Sequence, residues 1–491
     1  MPGKPVAWRF FCGLLLLPVV AAGFSHGVSA ATTNSSDVLS SVLKRRLNLG
    51  GYFSFETAYR YLEPRSVTKM RGTFFNSLDY SFSDRFKLRA SAWYYYDVAY
   101  DLFDYDTIAA RFEREEQNPL VFVEQLGHEK DSPRAELREM YLNMLFSNMD
   151  IRLGLQHVVW GVLEGVRVVD EINPMNFREL ILLDDILDYR IPLWTAKLDW
   201  YTRLGDWQFL LIPDLTFHKP APRGSEWELF QNVPNTVRPQ SNNPRNWEIG
   251  LRWSKNLLST DLTLSYLYTW DDFPSIFRHV STLGADREPT MFPTYNRVSM
   301  LGTTFSRQML GTILKGEFAY VTGKFFGINQ ADANHDGFLD NNGEVRKDHI
   351  RWGLGFEVHV AKWDIAPSYV QWQILDYDEA ILQNEEDDSV NVYMRRKFRT
   401  GNSTLTMLWI YLVDMRESYY KPRVSFAVSD RFRLSVGFDI FSGHKTSFGV
   451  ASRSTSGGGP LAVPQTLEQR AQFFGNFGDN DRAVVEMRYT F

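Results

Sequence analysis

Period-2 alternation recurs eighteen times between Leu47 and Phe491, and this repetition constrains the fold more than any other feature of the sequence. In the last segment Phe491, Tyr489, Met487, Val485 and Ala483 share one face, and Thr490, Arg488 and Glu486 the other. Successive side chains of a strand point to opposite faces, so the pattern describes a strand with one apolar and one polar side. The expected segments are about 47–61, 69–81, 85–98, 134–146, 149–161, 191–202, 206–217, 245–254, 260–270, 294–307, 310–322, 348–360, 362–375, 390–399, 404–414, 421–429, 431–441 and 483–491. Turns of a few residues alternate with long connections, and only 415–420 is short on the long side.

An even strand number, alternating short and long connections and apolar-out, polar-in patterning together describe a bacterial outer-membrane barrel. A tilted transmembrane strand needs about 9–11 residues, which the segments supply. Closure also removes the unpaired edges that a sheet of this size would otherwise have to protect. A propeller would need a repeat of roughly 40–50 residues, and the sequence has none. The fold expected is all-β: a transmembrane antiparallel up-and-down barrel of about eighteen strands with an inward-folded third extracellular loop.

The start of the chain fits that compartment. Lys4 and Arg9 precede an apolar run from Phe10 to Ala22, and Val28-Ser29-Ala30 offers a small-residue cleavage site. Residues 1–30 therefore read as a secretory signal, 31–46 as a short periplasmic lead and 47–491 as the barrel. Cys12, the single cysteine, lies in the signal, so disulfides and thiolate chemistry are excluded from the remainder. Without the signal, 51 basic residues face 59 acidic ones, which gives no support to nucleic-acid binding.

With the apolar faces toward lipid, the alternation places Arg89, Arg152, Arg252, Arg297, Arg351, Arg395, Lys397, Arg399, Arg423 and Arg433 in the lumen. Lumen cations outnumber lumen acids about two to one in this reading. A wall of one sign selects the opposite ion; alternatively, arginine–carboxylate pairs simply brace a polar interior. The connection 162–190 is too apolar for a solvated loop tip. Asn176 and Glu179 have the spacing of a capping box ahead of a short helix with Leu180, Leu183 and Leu187 on one face. Folded inward, it would act as a constriction presenting Glu164, Arg167, Asp170, Glu171, Arg178, Asp184, Asp185 and Asp188 to the basic wall. Packing against neighbouring external loops is the alternative.

In the loop 323–347, Asp332, Asn334, Asp336 and Asp340 alternate around Gly337, as in the first nine positions of a Ca²⁺-binding EF-hand loop. The carboxylate Glu344 then comes one residue late, so a structural Ca²⁺ competes with a plain polar hairpin tip. No other cofactor is expected. No metal spacing of histidines occurs and no G-x-S-x-G element lies beyond the signal, so an enzyme is not expected.

Three stretches carry a resemblance: Leu153-Gly154-Leu155-Gln156-His157-Val158-Val159-Trp160-Gly161, then Arg167-Val168-Val169-Asp170-Glu171-Ile172-Asn173-Pro174, followed by Arg190-Ile191-Pro192-Leu193-Trp194. They resemble the DUF1302 family of proteobacterial outer-membrane proteins, whose function is unassigned. The resemblance implies fold and location more than substrate. It also implies work beside an inner-membrane transporter of the resistance–nodulation–division (RND) type. The function expected is passive diffusion of small polar, anionic solutes; the alternative is a component of RND-linked export or lipid trafficking. Membrane lipid and lipopolysaccharide are the expected surroundings. Tyr489 and Phe491 resemble the terminal aromatic signal read by the outer-membrane assembly machinery.

Overall fold

The computed structural model describes residues 46–109, 134–181, 189–221, 225–227, 236–280, 289–328, 340–398, 402–443 and 473–491. Eighteen strands form one sheet. They are β1 Leu47–Arg60, β2 Ser66–Ser81, β3 Phe86–Asp97, β4 Arg134–Leu145, β5 Met149–Gln156 and β6 Leu193–Thr202. There follow β7 Gly205–Ile212, β8 Glu248–Leu257, β9 Thr260–Trp270, β10 Arg297–Met309, β11 Thr312–Gly327 and β12 Glu344–Val360. The last six are β13 Trp363–Ile374, β14 Glu386–Lys397, β15 Ser403–Leu412, β16 Glu417–Ala427, β17 Phe432–Ser442 and β18 Arg482–Thr490.

Each strand pairs antiparallel with the next. The ring closes where β1 meets β18, in register from Tyr52↔Thr490 to Arg60↔Arg482. Closure satisfies every backbone group within the ladder, which a hydrocarbon environment demands. Leu49, Phe53, Leu264, Leu301, Leu354 and Phe356 lie exposed on the outward face, and charged side chains pair on the lumen side. This is an outer-membrane barrel of the Gram-negative type.

All eighteen sequence segments correspond to barrel strands, but their ends differ. β11 runs to Gly327 and β12 starts at Glu344, several residues beyond the expected limits at 322 and 348. Outside the bilayer a ladder needs no apolar outer face, so hydrogen bonding continues where the lipid-facing pattern has stopped. β5 instead ends at Gln156, not 161. There the chain leaves the wall and turns into the lumen. Two short helical turns, Ala99–Leu102 and Tyr105–Ala109, follow β3. The loop between β9 and β10 adds a hairpin of its own, Ser275–Val280 against Pro289–Thr294.

Candidate functional site

The connection between β5 and β6 is the third outer loop, and it enters the barrel. Its first arm, 157–173, buries Val158, Trp160, Val168, Val169 and Ile172 against the inner faces of Leu193, Leu210, Ile212, Leu267, Met300 and Val321. Each such side chain contributes about 1.5–3 kcal/mol when fully buried, enough to hold an arm of this length against the wall. Glycines on the wall make room. A Cβ at Gly302 would stand 2.8 Å from Val169, one at Gly353 2.6 Å from Leu163, and one at Gly250 3.0 Å from the Trp160 ring.

Polar locks complete the docking. Glu317 on β11 accepts the backbone N–H groups of Val162, of Leu163 (2.7 Å) and of Val169 (3.0 Å). Trp160 donates its indole N–H to Gln208 at 2.7 Å. Asp170 accepts the Trp160 N–H at 3.1 Å and pairs with Arg190. Asn173 accepts the Val158 N–H at 2.8 Å and donates to the Ile191 carbonyl at 2.7 Å, tying the two ends of the loop together. Arg167 donates to the carbonyls of Asp170 (2.6 Å) and Asn173 (2.8 Å). The stretches singled out in the sequence are thus the framework that keeps the loop inside.

The second arm, 174–190, reaches the far wall. Glu179 pairs with Lys69 at 2.8 Å and with Arg71, both on β2. β2 and β11 lie nine strands apart in the ring of eighteen, so the loop runs from one wall to the wall opposite. The helix expected after Asn176 does not form over the described part, because Arg178–Ile181 is extended. The capping box fails because Lys69 and Arg71 take the Glu179 carboxylate, while the Asn176 side chain accepts the Arg178 N–H at 3.2 Å. Burial pushes Glu179 up, but Arg71 and Lys69 outweigh it and hold the carboxyl well below the usual range.

Other constriction residues are placed as follows. Glu171 meets Arg351 of β12 at 2.7 Å. Burial raises the Glu171 carboxyl, yet Arg351 and Arg167 bring it down to about 2. Glu164 stands 3.8 Å from Lys315, which also pairs with Glu357. Asp170 does not face the wall across the lumen as expected; its partner is Arg190 of its own loop, and both are buried. Asp184, Asp185 and Asp188 lie outside the described residues.

Of the wall cations, several are neutralised. Arg89 pairs with Asp79 (3.0 Å) and Glu139 (2.6 Å), Arg395 with Asp364 (2.9 Å) and Arg423 with Asp439 (2.7 Å). Arg152, Arg252, Lys397 and Arg433 share the lumen parity of these residues through Lys197, Gln208, Thr404 and Arg488. None of the four has a carboxylate partner among the described residues, and Arg152 stacks on Tyr141 at 4.4 Å. Arg399 lies outside the described residues. Arg297 is a correction. It shares its face with Leu301, 55% exposed, while Met300 and Thr304 are buried on the other. It therefore points outward, because the alternation through this strand was read one residue out of phase.

Sequence reasoning missed a second inward element. Trp227, from the loop after β7, packs with Phe474 and Phe477 onto Ile410, Tyr419 and Phe441 of β15, β16 and β17. Asn480 donates to the Glu226 carbonyl at 2.7 Å and Tyr100 to its carboxylate at 2.9 Å. Trp227 sits in a Pro- and Asn-rich loop, with no periodicity to betray it. Lys69 and Arg71 were also missed. Asp332, Asn334 and Asp336 of the Ca²⁺-like loop lie outside the described residues, as does the side chain of Asp340. At the closing strand Tyr489 faces outward, and Phe491 packs on Phe53 (5.6 Å) and Phe74 (6.1 Å), its N–H bonded to the Gly51 carbonyl at 3.1 Å.

Among solved structures the chain is similar to Acinetobacter baumannii OccAB1, with 10% identity over 91% of this chain and 96% of that one, TM-score 0.46. It is similar to the outer membrane protein opdK of Pseudomonas aeruginosa at 8% identity over 90% and 99%, TM-score 0.45. The Pseudomonas aeruginosa OccK8 (OprE) structure matches at 10% identity over 91% and 98%, TM-score 0.45. No curated protein sequence matches the chain. Residues 65–210, which hold the whole inward loop and the strands on either side of it, match the family described as protein of unknown function (DUF1302).

Proposed function

We propose that this barrel is a narrow outer-membrane channel for small polar solutes bearing negative charge, with passage governed by the third loop. One observation carries the reading. The loop is fixed to opposite walls, while Arg152 and Arg252 line the lumen with no carboxylate in ion-pair contact among the described residues. Arg252 lies opposite Gln208, the residue that holds Trp160. Uncompensated cations in a low-dielectric passage concentrate anions and repel cations. The apolar residues of the lumen are occupied in holding the inward segments, which favours a polar solute over a lipid conduit.

Planar-bilayer recording of the purified protein under a KCl gradient tests this. A small steady conductance with a reversal potential displaced toward chloride is the expected result. A cation-selective current, or a barrel that stays silent even with 157–190 replaced by a short linker, would defeat the proposal.

A further inference from the structure

The short turns of the barrel face the periplasm, and the described ones differ in what they carry at the tip. Those after β2, β4, β12 and β16 are small or polar there: Ser83-Asp84, Ser147-Asn148, Ala361-Lys362 and Ser429-Asp430. Those after β6, β8 and β10 are tipped by leucine. Leu204 is 76% exposed, Leu258 90% and Leu310 fully. Leu258 and Leu310 also sit at φ +51°, each followed by a second residue of positive φ, Ser259 and Gly311. Two-residue turns of this kind favour Asn and Gly, so neither turn geometry nor burial calls for leucine there. The exposed Phe82, Phe146, Val360 and Val428 beside the other turns merely continue the outward row of their strands.

The three leucine-tipped turns are neighbours, because β7 pairs with β8 from Asp206↔Ser254 and β9 with β10 from Thr260↔Arg307. Adjacent hairpins lie two strand spacings apart, so the leucines span about 20 Å of the rim. Each turn also brings a cation: Arg203, Lys255 and Arg307. None of the three is in ion-pair contact with a carboxylate among the described residues; Arg203 and Arg307 are exposed, and Lys255 leans on the Arg203 carbonyl at 3.5 Å. The nearby Asp206 and Asp261 share the lumen face with Gln208 and Thr263, and Asp261 accepts the Asn256 side-chain amide at 2.8 Å. The same hairpins hold the first arm of the third loop on their inner faces, through Leu193, Leu210, Leu267 and Met300.

We propose that these three turns are a docking face for a periplasmic protein that presents an apolar strip flanked by carboxylates. Exposed leucines in a row give the strip its counterpart, and three cations without carboxylate partners complement the acids beside it. Lipid meets every turn of the rim alike and does not account for leucines confined to three neighbours. A second copy of the barrel would set the same cations against one another.

The test uses the full-length barrel in intact cells, with the photo-crosslinker benzoylphenylalanine replacing Leu204, Leu258 or Leu310 in turn. Ser83, Ser147 and Ser429 are the control positions on the other turns. The expected result is a protease-sensitive adduct with one protein from the three leucine positions and none from the serines. Sequencing of the cross-linked segment should find carboxylates beside apolar residues. Arg203→Glu, Lys255→Glu and Arg307→Glu together should cut the adduct roughly tenfold or more, since like charges then meet. Leu258→Asn with Leu310→Asn suits the positive φ, so this variant should migrate as folded and keep the parental bilayer conductance while losing the adduct from position 204. Should the charge-reversed barrel not fold, the asparagine pair alone carries the comparison. An adduct with lipid only or with a second barrel overturns the proposal, as does a basic cross-linked segment. Equal yields from the serine positions, no adduct at all, or undiminished yield in the variants overturn it as well.

Discussion

The two arms of the inward loop are held to opposite walls by different physics. The first arm presses Trp160, Val168 and Val169 against a wall cleared by Gly250, Gly302 and Gly353, with Glu317 satisfying its backbone. The second arm is held at Glu179 by two cations of β2, each of which has a further carboxylate. Lys69 also pairs with Glu56 at 2.8 Å, and Arg71 stands 3.7 Å from Asp97. Apolar docking is insensitive to salt, and undoing it exposes a large apolar area. The ionic contact can part without stranding a buried charge, because both cations keep a partner. The first arm is thus docked mainly by apolar packing, and the second meets the far wall through an ionic contact.

The largest break in this contrast is Trp160→Ala. Removing a fully buried tryptophan costs about 3–5 kcal/mol of docking free energy, while the barrel ladder loses nothing. Single-channel recording should show a larger and noisier conductance from a barrel that still migrates as folded. Unchanged conductance would mean the first arm does not narrow the path. Glu317→Gln comes next. Its amide oxygen can keep the Val162 and Leu163 N–H groups, but the Val169 N–H loses its acceptor, at a cost of about 1–3 kcal/mol. Deuterium uptake at 162–169 should rise in Glu317→Gln and stay at the parental rate in the rest of the barrel. Parental protection at Val169 would show that Glu317 does not hold the arm.

How much of this was legible in the sequence follows from what alternation can encode. Every strand was found, because lipid on one side and water on the other impose period 2 on each segment. The loop's inward course was legible too, since 162–190 carries apolar residues that a solvated tip would not. Its landing place was not. Lys69 and Arg71 look like ordinary lumen polar positions until Glu179 arrives from over a hundred residues away. Over 178–181 the expected helix gives way for the same reason, as a distant ion pair overrides a local cap. Apolar lumen residues such as Leu267 and Met300 contradict polar-in alternation because another part of the chain covers them. Arg297 shows the remaining weakness. A register slipped by one residue moves a side chain from lumen to lipid, and only the pairing partners fix it.

The smallest expected effect probes the ionic contact. Glu179→Gln removes one of two carboxylates from Lys69 and from Arg71, but both cations keep Glu56 or Asp97 nearby and the amide oxygen can still accept from them. The acid dependence has a definite sign. Because Glu179 is held well below the usual carboxylate range in the folded protein, its contribution is present above the ordinary glutamate value. It is lost only as pH falls through the depressed folded value. Between pH 7 and about 5 the second arm should therefore stay attached, and Glu179 should add no pH dependence to the open probability. Glu179→Gln should reproduce at pH 7 the state that acid reaches only much lower, as a modest rise in open probability that shrinks at high salt. If the parent opens between pH 7 and 5 and Glu179→Gln abolishes that response, the carboxyl titrates in the ordinary range. The ionic end would then be a looser contact than its pairing with Lys69 and Arg71 indicates.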